Sequence, residues 1–302
     1  MGNGNRTIGY GCFAVNLLIL LVLALVVGFL GYLIGVGWLY VERGPGVAVL
    51  EVRSAIYDET PVLDQLDQLL KNPDTCALVI HVDSPGGVIS AVEEIYNALN
   101  RAAADRGIPV VASMGALATS GGYFVCLPAE RIFANRTSVT GSIGVLVEYY
   151  SLGGLLDKIG VQSQTVTSGE YKGLGSWAQP LTDAQRQHMQ DIVNDFHNFF
   201  VEIVSTERHV ELARVREWAD GRVFTGRQAL EMGMVDELGG LNDAIAFAGE
   251  RAHLEGEPRV IRASERTVSL VQMVRRYGPP PWGAAAGGPA VPAPGLARFW
   301  MR

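Results

Sequence analysis

Three cysteines in 302 residues cannot staple a fold. Cys12, Cys76 and Cys126 are odd in number and scattered, which gives neither a disulfide framework nor a metal-ligand spacing. Cys76 and Cys126 fall in predicted core segments and read as small buried hydrophobes. Positive charge is scarce too. The formal net charge is −7 with no long basic run, which argues against a nucleic-acid footprint. No internal repeat is visible, so the chain carries one copy of whatever unit it encodes. Lysine is the rarest cation: Lys71, Lys158 and Lys172 stand among 24 Lys and Arg. A chain that uses Arg for nearly every surface cation keeps Lys where Arg cannot serve. The relevant difference is that a desolvated Lys can lose its proton and Arg effectively cannot.

Charge is also missing between Thr7 and Val41, and Leu17–Leu39 is almost wholly apolar. About 20 such residues cross a hydrocarbon core. A transmembrane helix is therefore expected over residues 13–40, after a short N-terminal segment, residues 1–12. The run is too long for a cleaved signal peptide and no clean small-residue cleavage site follows it. Arg6 on one side and Glu42 with Arg43 on the other leave its orientation undetermined.

After Gly44-Pro45-Gly46 the pattern changes to alternating strands and helices. Val47–Val52 reads as a strand and Thr60–Lys71 as an amphipathic helix. Ala77–Val82 reads as a buried strand, Val88–Ala104 as a helix and Pro109–Ser113 as the next strand. Short strands are expected at Arg131–Ala134, Gly144–Glu148 and Val161–Thr167, and a short helix at Leu152–Ile159. A long helix over Thr182–Thr206 opens on a Thr-Asp cap. Further helices are expected at Leu212–Ala219, Arg227–Met232 and Leu241–Arg251. This order points to an α/β domain with parallel pairing and right-handed crossovers over residues 41–263. Residues 264–302 hold a short amphipathic piece, Val268–Tyr277, and a Pro/Gly/Ala-rich tail expected to be flexible.

Three glycine-bounded loops carry possible chemistry. In Met114–Tyr123, Ser120 sits at a strand-to-helix turn before Gly121 and Gly122. The two glycines keep the surface low around its hydroxyl, and the amides of the following helix face developing negative charge. The same residues also fit an N-cap serine in a plain turn. Asp83-Ser84-Pro85-Gly86-Gly87 follows a buried strand, where Gly amides approach a ligand closely or simply make a tight turn. Ser168–Gly173 holds Lys172 among small and apolar neighbours, whereas Lys71 and Lys158 end amphipathic helices. The histidines, His81, His188, His197, His209 and His253, lie in a strand or in or beside helices, and none sits in a Gly-rich loop with an acidic orienter. A Ser-His-Asp triad thus lacks local support, and a Ser-Lys dyad has it.

These loops, with Thr140-Gly141-Ser142-Ile143-Gly144, Asp220–Gly226 and Leu230–Gly240, resemble the signal peptide peptidase A family in its short, single-domain bacterial form. The likeness runs in order from about Val47 to Ala248. It departs from the family pattern at Ala116, Leu117, Thr119 and Gly173. The resemblance implies a Clp-protease/crotonase-like spiral of βαβ units whose subunits form homo-oligomeric rings. It implies Ser120 as nucleophile, Lys172 as general base and the Gly87 and Gly121 amides as oxyanion hole. In this family Ser and Lys can come from neighbouring subunits. Ser142 or Thr140 would orient the Lys172 amine. The expected activity is a membrane-anchored serine endopeptidase that degrades remnant signal peptides and other apolar membrane-proximal peptides. Its catalytic domain would lie outside the cytoplasm, and no cofactor or metal is implied. Two other readings stay open: a catalytically silent membrane-anchored scaffold, and a crotonase-type acyl-CoA enzyme sharing the oxyanion turn.

Overall fold

The structure, a computed structural model, describes residues 19–32, 44–263 and 300–301. Cys12, the N-terminal segment 1–12, the piece over 268–277 and the tail through residue 299 lie outside the described residues. The chain divides into two compact units, Met1–Gly44 and Pro45–Arg302. In the first, residues 19–32 form helix α1, with its large apolar side chains exposed all round. The rest of the expected span over 13–40 lies outside the described residues. Among the described residues no helix is long and apolar enough to cross a membrane.

The second unit is built on a sheet in the order β7-β6-β4-β2-β1-β9. Its centre is β1 (Gly46–Arg53), β2 (Thr75–Ser84) and β4 (Val110–Thr119), all parallel. These strands read as continuous apolar runs because both faces are covered. Leu78, Ile80 and Val82 of β2 join the larger core, against α2 (Thr60–Lys71), α3 (Ile89–Arg106) and α6 (Asp183–Arg208). Ala77 and Val79 join a smaller core under α9 (Leu241–Arg251). The edge strand β9 (Arg259–Arg262) runs parallel to β1, a pairing the sequence reading lacks.

The sheet forks at β4. Val111–Met114 pair with β5 (Arg131–Ala134), which in turn pairs with β8 (Glu237–Leu238). Leu117–Thr119 pair instead with β6 (Val139–Gly141), whose other neighbour is the antiparallel β7 (Val223–Thr225). The change of partner coincides with a register break. Val82 pairs with Met114 but Ser84 with Ala118, so residues 115–117 bulge opposite Asp83 alone. The strand expected at Pro109–Ser113 therefore extends to Thr119.

Helix ends follow the sequence. In α6, Thr182 and Gln185 form a capping box, with the Thr182 hydroxyl accepting from the Gln185 amide at 3.2 Å. Thr225 and Gln228 repeat it at α8 (Gly226–Met232), which ends on Gly233 at φ 82°. A short helix, α5, covers Gly153–Lys158, and α7 covers Leu212–Trp218. Two expected strands do not form. Residues 144–148 offer only an isolated bridge residue at Leu146, and residues 161–167 are exposed and unpaired. Apart from the bridge at Leu146, their β-prone composition finds no neighbouring strand among the described residues, and a strand needs cross-strand partners to be stable.

Under the Ser120 turn the core is aromatic. Phe124 is fully buried, with its ring centroid 5.0 Å from Tyr96 of α3 and 5.0 Å from Phe200 of α6, both edge-on. The Tyr96 hydroxyl donates to Glu207, and burial, helped by that carboxylate, pushes its pKa up to about 12. A raised phenol pKa stabilises the fold below pH ~10 and loses that contribution as pH rises towards 12. We expect Phe124→Ala to lose about 3–5 kcal/mol in urea denaturation, the range for an emptied aromatic site. Phe124→Leu should lose clearly less.

Candidate active site

Ser120 stands where β4 ends and α4 (Gly121–Phe124) begins. Its backbone lies at φ 53°, ψ −119°, a conformation that a non-glycine residue holds only under constraint, at a cost on the order of 1–3 kcal/mol. The constraint is visible. The Ser120 amide donates to the Gly141 carbonyl of β6 at 2.7 Å, and the Ser120 carbonyl accepts from Phe124 at 2.9 Å. The hydroxyl is buried and has no hydrogen-bond partner among the described residues, a state it shares with the Ser113 hydroxyl of β4. Each such group is costly, and at Ser120 it coincides with a strained backbone.

α4 has only four residues, so the helix dipole expected from the sequence contributes little. The amides matter instead. Those of Gly121 and Gly122 open the helix and have no acceptor one turn back. Both glycines are demanded by close approach. A Cβ on Gly122 would lie 2.5 Å from the Ser84 carbonyl oxygen. One on Gly121 would lie 2.7 Å from Val92 Cγ2 and 3.2 Å from the Gly87 nitrogen. The second contact brings the two candidate oxyanion donors, Gly87 and Gly121, to the same spot.

Gly87 belongs to β3 (Gly87–Val88), and its own position is equally tight, since a Cβ there would meet the Ile56 oxygen at 2.0 Å. Ile56 donates to the Gly86 carbonyl at 2.9 Å and accepts from the Val88 amide at 2.8 Å. Its two bonds therefore go to the residues flanking Gly87. Along an extended strand, N–H and C=O point to alternate sides. The amide and carbonyl of Gly87 thus face away from Ile56.

The bulge before Ser120 is closed by polar side chains. Asp83 Oδ1 accepts from the Leu117 amide at 3.1 Å, which joins the Gly87 turn to β4. Ser138 Oγ donates to the Gly115 carbonyl at 2.5 Å, and Thr140 Oγ1 to the Ala118 carbonyl at 2.7 Å. Thr140 therefore spends its proton on β4. Ser142 follows the residue that holds the Ser120 amide, has φ 52°, and gives its own amide to Arg222 at 2.8 Å. Sequence reasoning missed the part Asp83 plays; the Asp-Ser-Pro turn signal was present, but its reach to residue 117 depends on the bulge.

Lys172 is exposed. Its loop, tied to α6 through Gln185 Nε2 and the Glu170 carbonyl at 3.0 Å, is exposed. No hydrogen bond joins Lys172 to Ser120, because the Ser120 hydroxyl has no partner among the described residues. No described histidine bonds to Ser120 for the same reason. His197 Nε2 pairs with the Ala219 carbonyl at 2.8 Å, and His188 packs on Tyr171.

A forked, mostly parallel sheet with a buried serine at a strand-to-helix elbow, beside two glycine turns at the strands' carboxyl ends, is an α/β fold of the Clp-protease type. The Clp protease family profile matches residues 49–142, and that of peptidase family S49 matches residues 102–255. A protein described as a protease in Synechocystis sp. is 37% identical over 228 residues, 75% of this chain and 81% of its own. One described as signal peptide peptidase SppA in Enterococcus faecium is 32% identical over 189 residues, 63% of this chain and 55% of its own. The solved membrane-bound stomatin-specific protease 1510-N shares the fold, with a TM-score of 0.50 and 16% identity over 74% of this chain and 100% of its own. The chain belongs to peptidase family S49, and its relatives include signal peptide peptidase A proteins.

Asp83→Ala should leave the fold intact but lower the turnover of a peptide substrate by about 10-fold or more, the scale of one lost charge-assisted hydrogen bond. Asp83→Asn keeps an acceptor and should restore most of it. Steady-state kcat with circular dichroism checks both.

Proposed function

We propose that this protein is a serine endopeptidase in which Ser120 is the nucleophile and Lys172 the general base, the two supplied by neighbouring copies of the chain. The observation that carries the reading is the Ser120 elbow: a buried, unpartnered hydroxyl on a strained backbone, beside the converging turns of Gly87 and Gly121.

Neutral Lys172 takes the Ser120 proton as Oγ attacks the peptide carbonyl. The amides of Gly87 and Gly121 hold the resulting oxyanion. The lysine ammonium then returns its proton to the leaving amine, and the acyl-enzyme forms. A water, deprotonated by the same lysine, releases the second product and restores the serine. Ser142 orients the lysine amine. Thr140 also accepts from it, through lone pairs that its bond to Ala118 leaves free.

Several features support a base donated in trans. Lys172 stands on an arm, residues 145–181, that exposes Tyr150, Leu155, Ile159, Val161, Tyr171 and Trp177, with Val166 100% exposed. So much apolar surface on one arm marks an interface. Packing that arm against a second copy would bury the lysine and complete a Ser120 site whose hydroxyl has no partner among the described residues. Desolvation would then favour the neutral amine that a base requires. We further propose a ring of such copies held at the membrane by residues 13–40, with the catalytic unit outside the cytoplasm. The charge-free run and the apolar surface of α1 support the anchor. The substrates are remnant signal peptides and other apolar, extended peptides, which fits the description of the Enterococcus relative.

Ser120→Ala and Lys172→Arg should each lower hydrolysis of an apolar peptide by at least about a thousand-fold, the scale of a lost nucleophile or base. Co-expressing Ser120→Ala with Lys172→Ala should then recover activity, since a mixed assembly pairs an intact serine with an intact lysine. Two dead variants that stay dead together would place the dyad within one chain; an active Lys172→Arg would remove lysine from the mechanism.

A further inference from the structure

Asp220, Gly221 and Arg222 form a turn between α7 and β7 that is clipped shut by its own side chains. Asp220 Oδ1 accepts from the Arg222 amide at 3.1 Å. The same carboxylate takes Arg222 Nε at 2.7 and 2.9 Å, and Arg222 Nη2 donates to its Oδ2. Gly221 stands between them at φ 87°, which lets the turn close. The near end of the turn is fixed to the core. Trp218 and Ala219 are buried, and the Ala219 carbonyl pairs with His197 Nε2 of α6 at 2.8 Å. At the far end the Arg222 carbonyl accepts the Ser142 amide at 2.8 Å. Ser142 is buried and stands at φ 52°, next to Gly141 at φ 84°. A Cβ on Gly141 would lie 3.1 Å from the Arg222 oxygen, so that one oxygen borders both residues. The clip itself is exposed, and exposed ion pairs add little to stability. What it does supply is a fixed place for one carbonyl.

We propose that Asp220 and Arg222 are positioning residues for the lysine base. Their clip fixes the Arg222 carbonyl, the carbonyl fixes the backbone of Ser142, and the Ser142 hydroxyl orients the Lys172 amine. The proposal rests on the reading of Ser142 as the residue that orients Lys172, and it adds what holds Ser142 in place. A serine in the left-handed region relaxes to a commoner conformation once its constraint is gone, and its hydroxyl swings with the backbone. The chemical consequence falls on the lysine. A hydroxyl that donates to the neutral amine favours the unprotonated form. A displaced Ser142 therefore leaves a base that stays protonated to higher pH. Asp220 does not titrate in that range. Hydrogen bonds from the Arg222 guanidinium and amide hold its carboxyl down at about 2, so the clip is charged wherever an amine can act as base and opens only as pH falls towards 2. The Gly87 and Gly121 turns do not include the clip, so peptide binding is spared and the loss falls on kcat.

The test uses the full-length protein and a fluorogenic apolar heptapeptide. Asp220→Ala and Arg222→Ala open the clip from either end. Each should lower kcat about 10-fold, with KM within about 2-fold and an unchanged circular dichroism spectrum. In both, the acid limb of the kcat–pH profile should move up by about half a unit or more, a shift that a loss of stability alone would not cause. Ser142→Ala should show the same shift. Adding Asp220→Ala to Ser142→Ala should then cost less than about 2-fold more, because the clip acts through that serine. A further loss of about 10-fold in the double variant overturns the proposal, as does an unmoved acid limb in Asp220→Ala. A silent Ser142→Ala overturns it too, by removing the residue the clip serves. The dyad reading fails on different chains, through activity retained in Ser120→Ala or Lys172→Arg, so the two failures are told apart.

Discussion

Everything at the site depends on β4 changing partners partway along its length. Up to Met114 it belongs with β5, and from Leu117 with β6. A parallel strand cannot do this while keeping a regular ladder, and the three residues 115–117 opposite Asp83 are the slack that permits it. The slack would leave main-chain groups unpaired, from the exposed Leu117 amide to the buried Ala118 carbonyl, where a lost bond costs about 1–3 kcal/mol. Asp83 supplies an acceptor for the Leu117 amide, and Ser138 and Thr140 supply donors for the Gly115 and Ala118 carbonyls. Three polar side chains thus hold a corner that apolar packing could not specify. The corner aims the end of β4 at the carboxyl end of β2, where Ser120 and Gly87 meet.

The strain at Ser120 follows from the same geometry. The chain must leave β4, bond to Gly141 and enter α4 within one residue, and α4 must lie close enough to β2 to exclude a Cβ at Gly121 and Gly122. The aromatic cluster under Phe124 supplies the packing energy that makes this affordable. Backbone amides, fixed by this packing, then need no reorganisation when charge develops near them. This is why glycine, the least distinctive residue chemically, dominates the site.

The sequence exposed much of this architecture and hid a definable part. Helices with a strong apolar stripe or a capping pair were legible to the residue or nearly so, as at Thr60–Lys71 and Leu241–Arg251. The central strands were legible as apolar runs. The four-residue β5 was legible too, but β3, β6, β7, β8 and β9 were not, because strands of two to four residues carry almost no period to read. Residues 144–148 and 161–167 failed in the opposite direction: they carry strand composition but, beyond the bridge at Leu146, no strand pairing among the described residues. The glycine turns of the site were legible as residues, but their convergence was not. It depends on the bulge at 115–117, which leaves no mark beyond Gly115. Nothing in the tail's composition marked Trp300 and Met301 as a strand.

The two failures have a common physical cause. β propensity is a property of pairs, and a segment with strand composition stays irregular until another chain segment lines up with it. The arm around Lys172 is such a segment, exposed and apolar in one copy of the chain. The edge of β3 is the converse, a short strand whose second side pairs with residues 300–301. A fold that left both unsatisfied would invite aggregation. The proposed assembly answers the first by setting the arm against a neighbour, and residues 300–301 answer the second by pairing with the edge. On that reading, the site's openness to peptides and its need for a partner copy both follow from main-chain groups that this chain alone leaves incompletely paired.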